Sequence, residues 1–99
     1  MSYVITDPEA LATAAIQLNA VGSPLAAQNM AAAVPTTALP PAAADEVSAL
    51  TAMQFSAHGT LYQAVSAQAA AIHEMFTSML GASATCYAAT EAANAVAAS

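Results

Sequence analysis

Apolar residues in the second half of the chain recur every three or four positions, which is the spacing of one face of an α-helix. Asp45 and Glu46 follow Pro40 and Pro41 and supply the acidic residues that favour a helix N-terminus. The pattern predicts one long helix over about residues 42–83. The members of this stripe are Val47, Leu50, His58, Leu61, Tyr62, Val65, Ala69, Ile72, Phe76, Met79 and Leu80.

A second stripe with the same period lies near the N-terminus. It follows Thr6-Asp7-Pro8-Glu9, in which either Thr6 or Asp7 can cap the free backbone amides. Pro8 fits the first turn, and Glu9 can complete a capping box. These signals predict a helix over about residues 7–34. The members of the stripe are Leu11, Ala14, Ala15, Leu18, Val21, Gly22, Leu25 and Ala32.

Prolines divide the two predicted helices. Pro35 is expected to end the first one, and Pro40 and Pro41 restrict the residues before them, so the pattern predicts a loop over about residues 35–41. Pro24 lies inside the first helix, where proline removes a hydrogen bond and crowds the preceding turn. We expect a kink at Pro24, with a full break of the helix as the alternative.

Both helices are apolar on more than one side. The predicted fold is all-α, an antiparallel two-helix hairpin in residues 1–83 followed by a tail in residues 84–99. Hydrophobic residues make up 59% of the 99 residues but aromatic residues only 5%, so the hairpin has little material for a core of its own. We expect it to complete an elongated four-helix bundle with a partner protein; self-association into a four-helix homodimer is the open alternative.

The charge pattern narrows the class of partner. The chain has no lysine or arginine and six carboxylates, which give a formal charge of -6. With no cation to neutralise phosphates, binding to nucleic acid is not expected, and a less acidic protein is the better partner. The uncharged stretch between Glu46 and Glu74 carries too many polar side chains for a membrane span. No charged segment precedes a short apolar run, so we expect no general secretory signal peptide.

Candidate chemical groups are few and scattered. His58 and His73 are expected to lie roughly 22 Å apart along one helix, at the ordinary rise of ~1.5 Å per residue, which is too far to share a metal ion. We predict no catalytic site, no cofactor and no metal. His58 lies on the apolar stripe and is expected to be hydrogen-bonded in the core or an interface, whereas His73 is expected in solvent. Gly59 indicates either close approach of another helix or simple tolerance.

A set of short motifs is spread across essentially the whole chain. The chain begins Met1-Ser2-Tyr3-Val4, continues with Asp7-Pro8-Glu9 and an Ala-rich helix, and has Thr36-Thr37 and Pro40-Pro41 in the loop. It then has Asp45-Glu46-Val47-Ser48 and ends with Tyr87-x-x-x-Glu91. The combination resembles the mycobacterial PE family, with Pro8 and Glu9 as the family's N-terminal motif. Tyr3 departs from the phenylalanine that the family often has there.

The resemblance implies a partner and a route of export. PE hairpins pair lengthwise with a hairpin of a PPE protein, as a 1:1 heterodimer that forms an elongated four-helix bundle. Such heterodimers leave the cytosol folded, through type VII (ESX) secretion, and reach the cell surface or the medium. A Tyr-x-x-x-Asp/Glu pattern after the second helix belongs to the export signal and maps onto Tyr87 and Glu91. An EspG-type chaperone commonly binds the PPE subunit before export.

Partner contacts are expected from the larger apolar residues of both stripes. They are Leu11, Leu18, Leu25, Leu50, Leu61, Val65, Ile72 and Phe76. No Gly-rich repeat or enzymatic extension follows the domain in these 99 residues, so functions of such extensions are not assigned.

A self-associating Ala-rich surface or interfacial protein is the alternative from another class. Ice-binding helices require regular threonine spacing, which this chain lacks. Interfacial helices favour lysine or arginine on the polar face, and the chain has neither.

Overall fold

The computed structural model describes residues 4–99, so the family position at Tyr3 lies outside the described residues. The described chain contains two helices and no strand: α1, Pro8–Thr37, and α2, Glu46–Ala98. The predicted all-α class is thereby confirmed.

Aspartates cap both helices. The Asp7 Oδ1 atom accepts a hydrogen bond of 3.1 Å from the backbone N–H of Ala10, so Asp7, rather than Thr6, is the N-cap of α1. Asp45 does the same for α2, because its two carboxylate oxygens accept bonds from the Ser48 N–H at 2.8 Å and the Ser48 hydroxyl at 2.7 Å. These bonds lower the pKa of Asp45 below its ordinary value of 3.8, the backbone bond most of all.

Helix α1 runs through both of its interior prolines. The break considered at Pro24 is wrong, because the helix is continuous from Pro8 to Thr37. The predicted end before Pro35 is also wrong. The last turn is supported by hydroxyls that donate back to carbonyls, Thr36 to Ala32 and Thr37 to Ala33, each at 2.6 Å. A proline this close to a helix end costs one backbone bond, and the helix continues past it.

The bounds of α2 also differ from the prediction. The helix begins at Glu46, after its Asp45 cap, rather than at residue 42, so the connection spans residues 38–45. It ends at Ala98 rather than at about residue 83, so the predicted tail is helical. Gly81 does not end the helix because no proline follows it and the sequence beyond is rich in alanine, the best helix former.

The described residues form two compact units. The first contains the residues up to Val21 together with His73–Ser99, and the second is Gly22–Ile72. Within the second unit the helices are antiparallel, since Leu39 bonds to Ser56 while Asn29 bonds to Ser66. Within the first unit they are also antiparallel, since Thr6 bonds to Glu91 and Leu18 to His73.

In the described residues, only small residues are buried where the two helices meet. The buried apolar residues are alanines, and no large side chain is fully buried there. Val21 and Leu25, members of the stripe predicted for the first helix, are 62% and 52% exposed. Each unit therefore pairs its helices through small groups and leaves its larger apolar side chains in solvent.

Helix α1 is long and apolar enough to cross a membrane by length and composition alone, a test that core helices and signal sequences also pass.

Candidate functional site

The face of α2 that meets α1 in the second unit is small and polar. Its buried or half-buried positions recur at heptad-like spacing and are Ser48, Ala52, Ser56, Gly59, Gln63 and Ser66. Gly59 allows the close approach of the two helices here, because a Cβ at this position would lie 2.5 Å from the Thr36 carbonyl oxygen. Of the two interpretations left open for Gly59, close approach of the other helix is the one observed.

Asn29 is the centre of the polar contacts in this unit. Its Nδ2 donates to the Ser66 hydroxyl at 2.8 Å, and its Oδ1 accepts from the Tyr62 hydroxyl at 2.7 Å. Gln63 Nε2 donates to the Asn29 carbonyl at 3.0 Å. The predictions from sequence missed this network. The heptad-like spacing of Ser56, Gln63 and Ser66, between apolar neighbours, is the signal that could have indicated it.

The larger apolar residues of the second unit face away from this contact. Five of the residues predicted to bind a partner lie here and are between 52% and 68% exposed. They are Leu25, Leu50, Leu61, Val65 and Ile72. Met30, Val34, Met53 and Phe55 are also exposed in this unit. The apolar stripe predicted for α2 is therefore an outward surface here.

The other residues predicted to contact a partner lie in the first unit, and they differ in exposure. Phe76 is 54% exposed, whereas Leu11 and Leu18 are half-buried between the paired helices. Thr77 is the buried polar residue of this unit and donates its hydroxyl to the His73 carbonyl at 2.9 Å. Ala15 and Ala84 are its buried alanines.

The two histidines differ in their surroundings, and the expectation for His73 is wrong. His73, expected in solvent, is half-buried, and its Nε2 lies 2.8 Å from the Leu18 carbonyl oxygen. His58, expected in a core or an interface, is exposed on the outward stripe. It is therefore not in a core of the described residues, and its place in an interface stays a prediction.

The predicted motif residues Tyr87 and Glu91 lie on helix α2, within the first unit. Glu91 is half-buried, and its Oε1 accepts bonds from the Thr6 N–H at 2.9 Å and the Thr6 hydroxyl at 2.8 Å. These bonds, the backbone one foremost, lower the pKa of Glu91 below its ordinary value of 4.5. Of the N-terminal pair, Pro8 is the first residue of α1 and half-buried, and Glu9 is exposed.

Tyr87 lies in an open hollow of about 460 Å³ on the surface of α2. The hollow is lined by Met79, Ala82, Ser83, Cys86, Tyr87 and Thr90. Tyr87 is 46% exposed, and Cys86 is an exposed free thiol. The lining is mostly apolar and carries no charged residue, so it is suited to contact rather than to chemistry.

No group of three or more histidine, cysteine, aspartate or glutamate side chains is placed to hold a metal ion in residues 4–99. The polar groups recorded above serve helix caps and helix pairing.

Comparison with known proteins gives a match to the PE family over residues 4–94. The chain belongs to the PE family. It is 59% identical to the PE family protein PE13 of Mycobacterium tuberculosis, over the full length of both chains. It is 57% identical to the PE family protein PE8 over 98 residues, which are 99% of this chain and 36% of PE8. The recognition based on the sequence motifs is thus confirmed.

Other PE relatives are considerably longer. The chain is 57% identical to the PE-PGRS family protein PE_PGRS33 of M. tuberculosis over 95 residues, which span 96% of this chain and 20% of that protein. The PE chain therefore corresponds to all of PE13 and to a minor part of PE8 and PE_PGRS33.

Proposed function

We propose that this PE chain is a non-enzymatic subunit that pairs with a PPE protein in a 1:1 heterodimer and is exported with it by type VII secretion. The hairpin supplies two helices of a four-helix bundle, and Tyr87 belongs to the surface that the export machinery recognises. The heterodimer assembles in the cytosol, where an EspG-type chaperone contacts the PPE subunit, and it reaches the cell surface or the medium after export.

The exposed apolar surface is the observation that carries the pairing. Large apolar side chains are exposed in both units of the described residues. Those of Val47, Met53, Ile72 and Met79 are between 66% and 72% exposed. Exposed apolar patches of more than a few hundred Å² mark interaction sites.

The charge of the chain favours a particular chemistry in the partner. The chain has six carboxylates and no lysine or arginine that could pair with them. A partner with exposed apolar helices and a neutral or basic border therefore fits this surface better than a second acidic copy, because like charges across an interface oppose association. This argument favours a heterodimer over the homodimer.

Co-expression tests the pairing directly. The PE chain expressed alone should aggregate or fold poorly, and co-expression with its PPE partner should give a soluble complex whose mass by light scattering is that of one copy of each. A discrete, fully helical homodimer or monomer of the PE chain alone, with a sharp melting transition, would contradict the proposal.

Leu61 provides a sharper test of the interface. Because its side chain is 63% exposed, Leu61→Asp should not disturb the pairing of α1 and α2. It should abolish the heterodimer, since an unpaired carboxylate in an apolar interface is strongly unfavourable. Leu61→Met keeps an apolar side chain, and Thr60→Asp places the same charge on an exposed flank of α2. Both controls should co-purify with the PPE protein; co-purification of Leu61→Asp would exclude this face from the interface.

Export is tested at Tyr87. Tyr87→Ala should stop secretion while leaving the heterodimer intact in the cytosol, and Tyr87→Phe should be secreted because it retains the ring. Normal secretion of Tyr87→Ala would remove Tyr87 from the recognition surface.

A further inference from the structure

The carboxylate of Glu91 bridges the two ends of the described chain. Its Oε1 accepts from both the N–H and the hydroxyl of Thr6, and the two residues are 85 positions apart. Thr6 is free to make these bonds because Asp7 caps the helix, through its bond from the Ala10 N–H. The bonds therefore hold the residue that leads into α1 against the C-terminal part of α2.

The two residues of the Tyr87-x-x-x-Glu91 pattern lie one turn apart on α2 but have different surroundings. Glu91 follows Thr77 and Ala84 at heptad spacing, and both of those residues are buried toward α1. Tyr87 lies in the open hollow with Met79 and Cys86. Glu91 is therefore bonded to the segment that leads into α1, whereas the Tyr87 ring is 46% exposed and is left for contact with another molecule.

We infer that Glu91 is a positioning residue, whose carboxylate holds Thr6 and the start of α1 in place, while Tyr87 alone presents a recognition group. This inference rests on the proposed export function and assigns different roles to the two residues of the export signal. The export machinery would then contact Tyr87 and a surface whose shape depends on the Thr6–Glu91 bonds, rather than pair a basic group with the Glu91 charge.

Three substitutions separate these roles. Glu91→Gln keeps an oxygen that can accept both bonds from Thr6 but removes the charge. Glu91→Ala removes the acceptor and cannot act by weakening α2, because alanine is the better helix former. Thr6→Val removes the hydroxyl donor and retains the N–H, so it should weaken the bridge from its other side.

The first measurement is hydrogen exchange of the Thr6 amide in the heterodimer, with helix content followed by circular dichroism as a control. Loss of a hydrogen bond to a charged acceptor should speed exchange about tenfold in Glu91→Ala, with a smaller change in Glu91→Gln. Tyr87→Ala should leave the exchange rate unchanged. An identical Thr6 rate in the wild type and Glu91→Ala would overturn the bridge.

Secretion of the same variants is the second measurement. Glu91→Gln should be exported, Glu91→Ala should not, and Thr6→Val should be reduced. Retained Thr6 protection with lost export in Glu91→Gln would show that the charge itself is read, and would overturn the inference while leaving the proposed function intact. Failure of the wild-type heterodimer to be exported would instead overturn the proposed function, and the exchange measurement would still decide whether the bridge exists.

Discussion

Gly59 lies so close to the backbone of Thr36 that a Cβ at position 59 would stand 2.5 Å from the Thr36 carbonyl oxygen. The obstructing atom belongs to the backbone, so it cannot move away as the end of a flexible side chain would. The contact makes the second unit depend on the absence of a side chain at one position of α2.

Gly59→Ala is therefore expected to destabilise the heterodimer, although alanine is favoured over glycine in a helix by about 1 kcal/mol. Overpacking of this kind costs about 1–3 kcal/mol, because one helix has to shift. Gly81→Ala is the matched control, since nothing lies within 4 Å of the added group and the propensity gain should remain. Denaturant midpoints should move in opposite directions for the two variants; a gain in stability for both would contradict the close approach.

Asn29→Ala removes the bonds that its side chain makes with Ser66 and Tyr62. We expect the free energy of unfolding of the heterodimer to fall by about 1–3 kcal/mol, from two lost hydrogen bonds. Asn19→Ala makes the same change at an exposed position of α1 and should have little effect. Equal midpoints for the two variants in denaturant would show that the Asn29 bonds contribute nothing.

Acid should weaken the structure through Asp45 and Glu91, whose pKa values are lowered by their hydrogen bonds to Ser48 and Thr6. A lowered folded-state pKa gives stability that is present above the unfolded value and lost as the pH falls through the folded value. The melting temperature should therefore fall as the pH is taken below the ordinary values of 3.8 and 4.5.

Asp45→Asn and Glu91→Gln keep an acceptor oxygen but do not titrate. The melting temperature of the double variant should therefore fall less steeply than that of the wild type as the pH is lowered. An equally steep fall in the double variant would assign the acid sensitivity to other carboxylates.

Cys86 offers a probe of the surface around Tyr87, because it is an exposed free thiol and the only cysteine in the chain. Recognition of Tyr87 in the assembled heterodimer requires this surface to stay open. A maleimide reagent should therefore label Cys86 at similar rates in the heterodimer and in the denatured chain. Strong protection in the heterodimer would place the hollow under the PPE subunit and assign Tyr87 to pairing instead.

Local signals in the sequence predicted the start of α1 to within one residue, but they placed the start of α2 and the ends of both helices too early. Asp7 and Asp45 act on amides within three residues, so their roles follow from the neighbouring sequence. The Thr36 and Thr37 hydroxyls support the extension of α1 past Pro35, and the alanine-rich sequence after Gly81 favours the extension of α2 to Ala98. In both cases several small contributions to helix stability decide where the helix ends, and Pro35 or Gly81 alone does not reveal their sum.

Periodicity revealed the apolar stripes but not the direction in which each one faces. A stripe that includes Leu61 and Val65 is normally the inward face of a helix pair. Here Gly59 and Gln63 face inward, because small side chains allow the two backbones to approach closely. The Thr6–Glu91 bonds could not be predicted from sequence at all, since the residues are 85 positions apart and neither forms part of a shared local pattern.

The pairing of α1 and α2 through alanines, serines and a glycine has a calorimetric consequence. The heat capacity change of unfolding grows with the apolar area that becomes hydrated. Since the large apolar side chains of each unit are already hydrated in the unpartnered chain, its unfolding should absorb heat over a broad range with a small heat capacity change. Most of the heat capacity change that is ordinary for a domain of this size would then appear on dissociation of the heterodimer, and the temperature of maximum stability would be a property of the pair.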